Sequence, residues 1–397
     1  MQYRAVLSNA QHPEYGVVTI PYPIPAEQYD EIIEMLGALE IGDPLKRDCH
    51  VDNISEDWPV LKRLENAAVN VDELDYLAKR LDSFSVGEDD QFQGMAAKLG
   101  ITDMTDLINL TFCCQQATVI ADFSDLDKVG HDHAMNLNGG AMAMDAYKNL
   151  DGRKAALKLI EQEAGTITPY GVVYDNGMKL EQLYTGQNFP AYFYDDFTLA
   201  LEIRPRNAPE EEPGTFLFLP MTQLQIDRAM QRSGIDSCEN MCMRFVESRL
   251  PDEVDIVLDM EHESLSALNQ MAIAIADLAP ADKEKLGAVV SVAAPEDAFH
   301  VMQLTKNLDF FDFIPAAKTA EDYGRYMIQK SEHFEYDENL ADYYDYEKYG
   351  RARMAQESGW FVDRGYISYH GTLSMEELMM ENPAEQVQAD FQMGGLE

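Results

Sequence analysis

The chain has 397 residues, and 71 Asp and Glu against 30 Lys and Arg give a formal charge of −41 at pH 7. That sign is wrong for a nucleic-acid binder, which needs cations to neutralise phosphates, and for an anionic membrane surface. A hydrophobic fraction of 46%, with 20 Tyr and 17 Phe, excludes a disordered acidic chain and is enough for two or three packed domains.

The opening Met1-Gln2-Tyr3-Arg4-Ala5-Val6-Leu7 lacks the apolar stretch of a signal peptide, and no apolar run reaches membrane-spanning length. Five cysteines without framework spacing fit a reducing compartment, so the expected location is the cytoplasm. Residues 3–8 and 17–20 predict short strands, and 26–39 a helix. Helical patterns then run from 71 to 136, with Ser124 as an expected N-cap, followed by one more helix and one or two strands. A second series follows: strands at 191–193 and 216–219, with the turn-rich stretch 204–214 between the first two strands of the series. A helix at 222–233 and helical patterns from 264 to 330 come next, with Thr319 as an N-cap. A helix and strands close the series. A short helix at 374–380 and a frayed end at 386–397 complete the expected order.

The two series resemble each other. DELDYLAKRLDSF at 72–84 aligns with SALNQMAIAIADL at 266–278, placing Leu74, Leu77, Leu81 and Phe84 opposite Leu268, Met271, Ile275 and Leu278. Both sets fall at helical spacing. The same offset carries Gly130 onto Gly324. Further on, Gly152-Arg153-Lys154-Ala155 is matched with Gly350-Arg351-Ala352-Arg353, as if the offset had changed by a few residues. The reading is an α+β chain made by tandem duplication. The first copy spans 1–183, with small α/β regions over 1–65 and 141–183 flanking a helical middle over 66–140. The second spans 184–372, with α/β regions over 184–260 and 333–372 flanking a helical middle over 261–332, and 373–397 is a tail.

Motifs of catalysis are missing. His131 and His133 are two apart and do not share a helix face, and no HExxH or zinc-finger spacing occurs. Cys113, Cys114, Cys238 and Cys242 read as small core residues. Glu332, His333 and Asp337 could be assembled into an acid–base site, but so could many groups in a chain with 71 carboxylates. Gly139-Gly140 and Gly394-Gly395 belong to no phosphate-binding loop, and no G-x-S-x-G elbow is present. No catalytic residue, metal or cofactor is expected.

The informative stretch is 335–349, EYDENLADYYDYEKY, which interleaves six carboxylates with five tyrosines. One reading is a helix with tyrosines packed inward and acids in solvent. The other gives the acids a use: carboxylates on a rigid face stand where backbone phosphates would stand and pair with Lys and Arg of a DNA-binding groove. At one charge per ~1.7 Å of B-DNA axis, the net charge matches about 70 Å of duplex, roughly twenty base pairs.

These residues resemble the ArdA antirestriction family. The likeness rests on DELDYLAKRLDSF, on FSDLDKVG at 123–130, on DYYDYEKYGRARM at 342–354 and on GYISY at 365–369. LNQMAIAI at 268–275 and AEDYGRYMI at 320–328 are the second-copy counterparts. The resemblance implies an elongated, non-catalytic mimic of bent B-form DNA that occupies the DNA groove of Type I restriction–modification enzymes. It places phosphate-like groups at Asp337, Glu338, Asp342, Asp345 and Glu347, with Asp122, Asp125, Asp127 and Asp132, and Asp72, Glu73 and Asp75, from the first copy. It also implies end-to-end pairing, as a homodimer or, with two units fused, as a covalent pseudo-dimer. The alternative is an acidic accessory protein of a mobile element that binds a basic partner without mimicking DNA.

Overall fold

The computed structural model describes residues 3–55, 58–85, 87–209, 212–331 and 335–380. The expected frayed end and Gly394-Gly395 lie outside them, as do Glu332 and His333. The chain forms two compact units. The first comprises Met1–Tyr194, Asn207–Phe216 and Thr222–Asp236; the second comprises Asp195–Arg206, Leu217–Met221 and Ser237–Glu397.

In the first unit, β1 (Tyr3–Ser8), β2 (Val17–Tyr22), β3 (Cys49–Ile54) and β4 (Ala68–Val69) make an antiparallel sheet of order β2-β1-β3-β4. Its inward face, including Ala5, Leu7, Ile20 and Val51, packs in one core with the helices Tyr29–Ala38 and Val71–Asp82. The latter helix forms for local reasons. Asn70 caps it by accepting from the backbone N–H groups of Asp72 and Glu73, acids occupy its first turn, and Lys79 and Arg80 its last. Leu74, Leu77 and Leu81 are buried as the periodicity predicts. A smaller sheet, β5 (Thr118–Ile120), β6 (Thr166–Thr168) and β7 (Gly171–Tyr174) in the order β5-β7-β6, packs with the helices Leu126–Leu137 and Gly152–Gln162.

Largely in the second unit, β8 (Leu199–Pro205), β9 (Thr215–Leu219) and β10 (Met241–Ser248) give the order β10-β8-β9. The expected strand at 191–193 is not formed; the strand begins at Leu199, and its first five residues are all buried. Helices Leu265–Ala276, Pro280–Ala293 and Ala298–Lys306 follow. The unit closes with β11 (Phe311–Ile314), β12 (Ser358–Val362) and β13 (Gly365–Tyr369) in the order β11-β13-β12, together with the helices Ala320–Gln329 and Tyr346–Met354. The helix Met375–Met379 is capped by Ser374.

A spacing of 194 residues recurs through these elements. It relates the N-caps Asn70 and Ser264, Asp103 and Asp297, Asp125 and Thr319, and Asp151 and Asp345. It relates the register pair Ile120–Val172 to Ile314–Tyr366, and the skipped residues Asp52 and Val246 at two β-bulges. At this spacing Gly152 falls on Tyr346, and not on Gly350. The helices cross closely there. A Cβ on Gly130 would overlap the carbonyl oxygen of Gly152, and a Cβ on Gly324 would overlap that of Tyr346. Gly152 and Gly350 make close approaches of their own, to the carbonyl oxygens of Asp127 and Ala320 respectively.

Candidate partner-binding acidic surfaces

The three carboxylates expected to face a partner from the helix Val71–Asp82 do not do so. Asp72 accepts from Arg228 Nη2 at 2.9 Å through each of its oxygens, and from the Tyr29 hydroxyl at 3.2 Å. Glu73, with 2% of its surface exposed, takes the Tyr184 hydroxyl at 2.9 Å and Arg47 at 3.2 Å. Asp75 accepts the Ile24 N–H at 2.6 Å and lies 3.4 Å from Lys79 Nζ; burial raises its pKa against the pull of that lysine. Glu73 and Asp75 are buried and Asp72 is half-buried, each with a cation beside it, and such pairs hold the fold. Sequence periodicity marks the leucines of this helix but cannot show that a cation 156 residues away turns Asp72 inward.

The first-unit acids around the helix Leu126–Leu137 are exposed. Asp125 caps that helix by accepting the Lys128 N–H at 3.0 Å, and Ser124 does not cap it. Instead Asp122 holds Ser124 by N–H and hydroxyl bonds at 2.8 and 2.7 Å, and those bonds lower its pKa. Asp127 accepts the Arg153 N–H at 3.2 Å, and Asp132 pairs with Lys128 at 2.7 Å. The partner helix carries Arg153, Lys154 and Lys158 on its exposed face, so this acidic surface is diluted with cations.

The second-unit stretch is richer. It is not one helix: the 3-10 helix Glu338–Tyr343 is followed by the α-helix Tyr346–Met354. Asp337, Glu338, Asp342, Asp345 and Glu347 are all exposed. Asp337 accepts the Asn339 N–H at 2.9 Å, Asp345 caps the α-helix through the Lys348 N–H at 3.0 Å, and Glu347 pairs with Arg351 at 2.7 Å. Glu338 and Asp342 have no side-chain hydrogen bond or ion pair among the described residues. Tyrosines fix the stretch from beneath. The rings of Tyr336, Tyr344 and Tyr346 follow one another at 5.9 and 5.8 Å, and Gln329 Nε2 donates at 3.0 Å to the hydroxyls of both Tyr336 and Tyr346. Tyr343 points outward, 84% exposed. The arrangement can present fixed negative charge flanked by an aromatic side chain, and the buried members Tyr346 and Gly350 keep it on the helix Ala320–Gln329.

Among the described residues, no group of three or more His, Cys, Asp or Glu is placed to hold a metal. His131 and His133 diverge: His133 meets the Thr118 hydroxyl at 3.0 Å, and His131 lies between two backbone carbonyls. Cys113 and Cys114 are buried as expected, but Cys238 is exposed and Cys242 is half-buried, because the turn at Cys238–Asn240 and the start of β10 lie at the surface. Among the described residues, no helix is long and apolar enough to cross a membrane.

Residues 211–368 match the family profile described as antirestriction protein (ArdA). The match covers a minority of the chain and contains the whole acidic tyrosine-rich stretch. No curated protein matches the chain.

Proposed function

We propose that this protein is a non-catalytic DNA mimic that inhibits Type I restriction–modification enzymes by occupying the groove of their methyltransferase core. The observation that carries the reading is the position of the exposed carboxylates Asp337, Glu338, Asp342, Asp345 and Glu347 inside the segment similar to an antirestriction family. Rigid carboxylates at a protein surface can accept charge-assisted hydrogen bonds from the Arg and Lys that normally bind phosphate. Asp122, Asp125, Asp127 and Asp132 form a second, weaker face; Asp72, Glu73 and Asp75 do not contribute to it. The protein acts in the cytoplasm, binds no nucleic acid itself and needs no cofactor.

We also infer that the chain is a tandem duplication, with each copy an ArdA-like unit. Support comes from the constant spacing of 194 residues through four pairs of N-caps, one pair of bulges and one pair of sheet registers. The two first sheets also share one order, with β8, β9 and β10 in the places of β1, β2 and β3.

Steady-state kinetics of a purified Type I methyltransferase test the mechanism. Inhibition of methyl transfer should be relieved by raising the DNA concentration, leaving the maximal rate unchanged. Inhibition that no DNA concentration relieves would contradict occupancy of the groove and favour an acidic accessory protein that binds beside DNA.

A further inference from the structure

Two equivalent helix pairs differ in what covers them. At the 194-residue spacing the helix Leu265–Ala276 corresponds to Val71–Asp82, and the helix Ala298–Lys306 to the stretch that begins with the helix Met104–Leu110. In the first unit the outward face of the pair is covered by chain that follows it. Phe189 stacks on Tyr76 at 4.5 Å, the Tyr76 hydroxyl donates to the Pro190 carbonyl at 2.8 Å, and the Arg80 guanidinium lies 4.4 Å from the centre of the Tyr192 ring. In the second unit the same place is a groove of about 330 Å³, lined by Gln270, Ile273, Ala274, Met302, Thr305 and Lys306. Gln270, Ile273 and Ala274 stand at the positions of Tyr76, Lys79 and Arg80. The polarity is inverted: Ile273 is 51% exposed, whereas the charged Lys79 is half-buried under its cover. Covering the groove would remove apolar surface from water.

The chain itself arrives at the edge of this groove. In the first unit the covering segment enters over the second helix, where Asn109 accepts the Tyr184 N–H at 2.7 Å and donates to the Tyr184 carbonyl at 2.8 Å, and Tyr184 is buried. The equivalent residue, Leu378, is also buried, on the helix Met375–Met379 that packs against Ala298–Lys306. The two stretches therefore lie on equivalent helices as far as Tyr184 and Leu378. Phe189 follows Tyr184 by five residues, and Pro383 follows Leu378 by the same number. Five extended residues reach about 17 Å, more than the roughly 10 Å between the axes of packed helices. Three residues recur at the same spacing in this part of the sequence: Asn188 and Asn382, Asp196 and Asp390, Phe197 and Phe391. Residues 381–391 carry three acids and no Lys or Arg, while Lys306 at the rim of the groove is exposed and forms no ion pair among the described residues.

We propose that residues 382–388 strap across the helices Leu265–Ala276 and Ala298–Lys306 of their own chain, presenting Pro383 and Val387 to Ile273 and Ala274, and Glu385 to Lys306. Residues two apart on an extended segment share a face, so Pro383, Glu385 and Val387 reach the groove together. The sequence thus matches two apolar groups to the apolar wall and one acid to the lysine at its rim. The strap closes in the second copy what Phe189, Pro190 and Tyr192 close in the first, and denies the groove to any other apolar segment. The equivalence of the two sites rests on the tandem reading; the mimic reading plays no part in it.

Hydrogen exchange of the full chain, read by mass spectrometry on peptides covering 382–391 and 265–276, tests the strap. Amides of 384–388 should exchange at least about tenfold more slowly than in a synthetic peptide of the same sequence. Ile273→Asp, at an exposed position, should return them to the peptide's rate while the helix Leu265–Ala276 keeps its own slow exchange. Val387→Asp should do the same from the other side of the contact, without touching the helix. Wild-type amides that exchange at the peptide's rate, or slow exchange that both variants retain, would overturn the proposal. Slow exchange that disappears on dilution would give the groove to a segment of another molecule and overturn it as well. The tandem reading fails on a different result, a crystal structure in which the N-caps and sheet registers of the two copies do not superpose.

Discussion

Arg228 places Nη2 2.9 Å from both carboxylate oxygens of Asp72, with the two side chains only 7% and 12% exposed. Burial opposes charge on Arg228, and the facing carboxylate outweighs it, raising the pKa of the guanidinium. Arg228 also donates to the Gly42 carbonyl at 2.7 Å, and Arg232 to that of Pro44 at 2.7 Å, so the helix Gln223–Arg232 is fastened to the loop after Tyr29–Ala38. Asp72→Asn would leave Arg228 charged and buried, and should cost about 3–5 kcal/mol of stability. Urea unfolding checks this against Asp337→Asn, an exposed position expected to lie within about 0.5 kcal/mol of wild type.

The helix crossings make a second prediction. Gly324→Ala places a methyl group against the carbonyl oxygen of Tyr346 and the N–H of Gly350, which are backbone atoms and cannot move aside alone. It should destabilise by about 1–3 kcal/mol or more, as should Gly130→Ala. Gly37, in the helix Tyr29–Ala38, has open space at its Cβ and an ordinary helical backbone. There the same substitution should stabilise by about 0.5–1 kcal/mol. Thermal unfolding of the three variants separates the cases by sign.

His131 supplies a pH dependence. Nδ1 lies 2.8 Å from the Asp127 carbonyl oxygen and Nε2 lies 3.1 Å from that of Tyr147, and only an imidazolium can donate to both. The Asp127 carbonyl is the main cause of its raised pKa, burial opposes it, and the Tyr147 carbonyl and the carboxylates of Asp127 and Asp132 add to it. Because the folded pKa is above the unfolded value of 6.5, the stabilisation is fully present below that value and is lost as pH rises through the folded pKa. His131→Gln should flatten that decline. Unfolding midpoints measured across neutral pH test it; a variant with the same decline as wild type would contradict the assignment.

Glu253 works in the opposite direction. Arg364 Nε donates to it at 2.7 Å and lowers its pKa, and Gly287 makes the room, since a Cβ there would collide with the guanidinium. A depressed carboxylate contributes stability above its unfolded value of 4.5, and the contribution is lost as pH falls through the folded pKa. Arg364→Gln should therefore lower stability at neutral pH and lose less on acidification than the wild type. Equal losses on acidification would mean that Arg364 does not set this carboxylate.

The sequence shows the elements whose causes are local. The leucine stripe of Val71–Asp82, the cap at Thr319 and the turn-rich connection after β8 follow from residues within a few positions of one another. What it does not show is set at long range. Asp72, Glu73 and Asp75 look like solvent-facing acids until Arg228, Arg47 and Lys79 are brought to them, and two of those cations come from elsewhere in the chain. Gly152 and Gly350 look equivalent because both precede arginine, but each makes a close approach of its own, to the carbonyl oxygens of Asp127 and Ala320 respectively. The exposed acids of 337–347 were legible because alternation with tyrosine in a short stretch leaves carboxylates nowhere to go but solvent.

Partner binding through many exposed carboxylates predicts graded loss. Single neutralisations at Asp337, Glu338, Asp342, Asp345 or Glu347 should each weaken target binding by less than about tenfold, and combining them should weaken it much further. One residue that abolishes binding alone would instead indicate a localised site.

The most direct measurement is displacement of a labelled specific duplex from a Type I methyltransferase by the full chain, at low and high salt. The expected result is stoichiometric release that weakens as salt rises and that is lost when the carboxylates of 337–347 are neutralised together. Retention of the duplex by the enzyme at every ratio of folded protein would contradict the claim that this surface stands in for DNA.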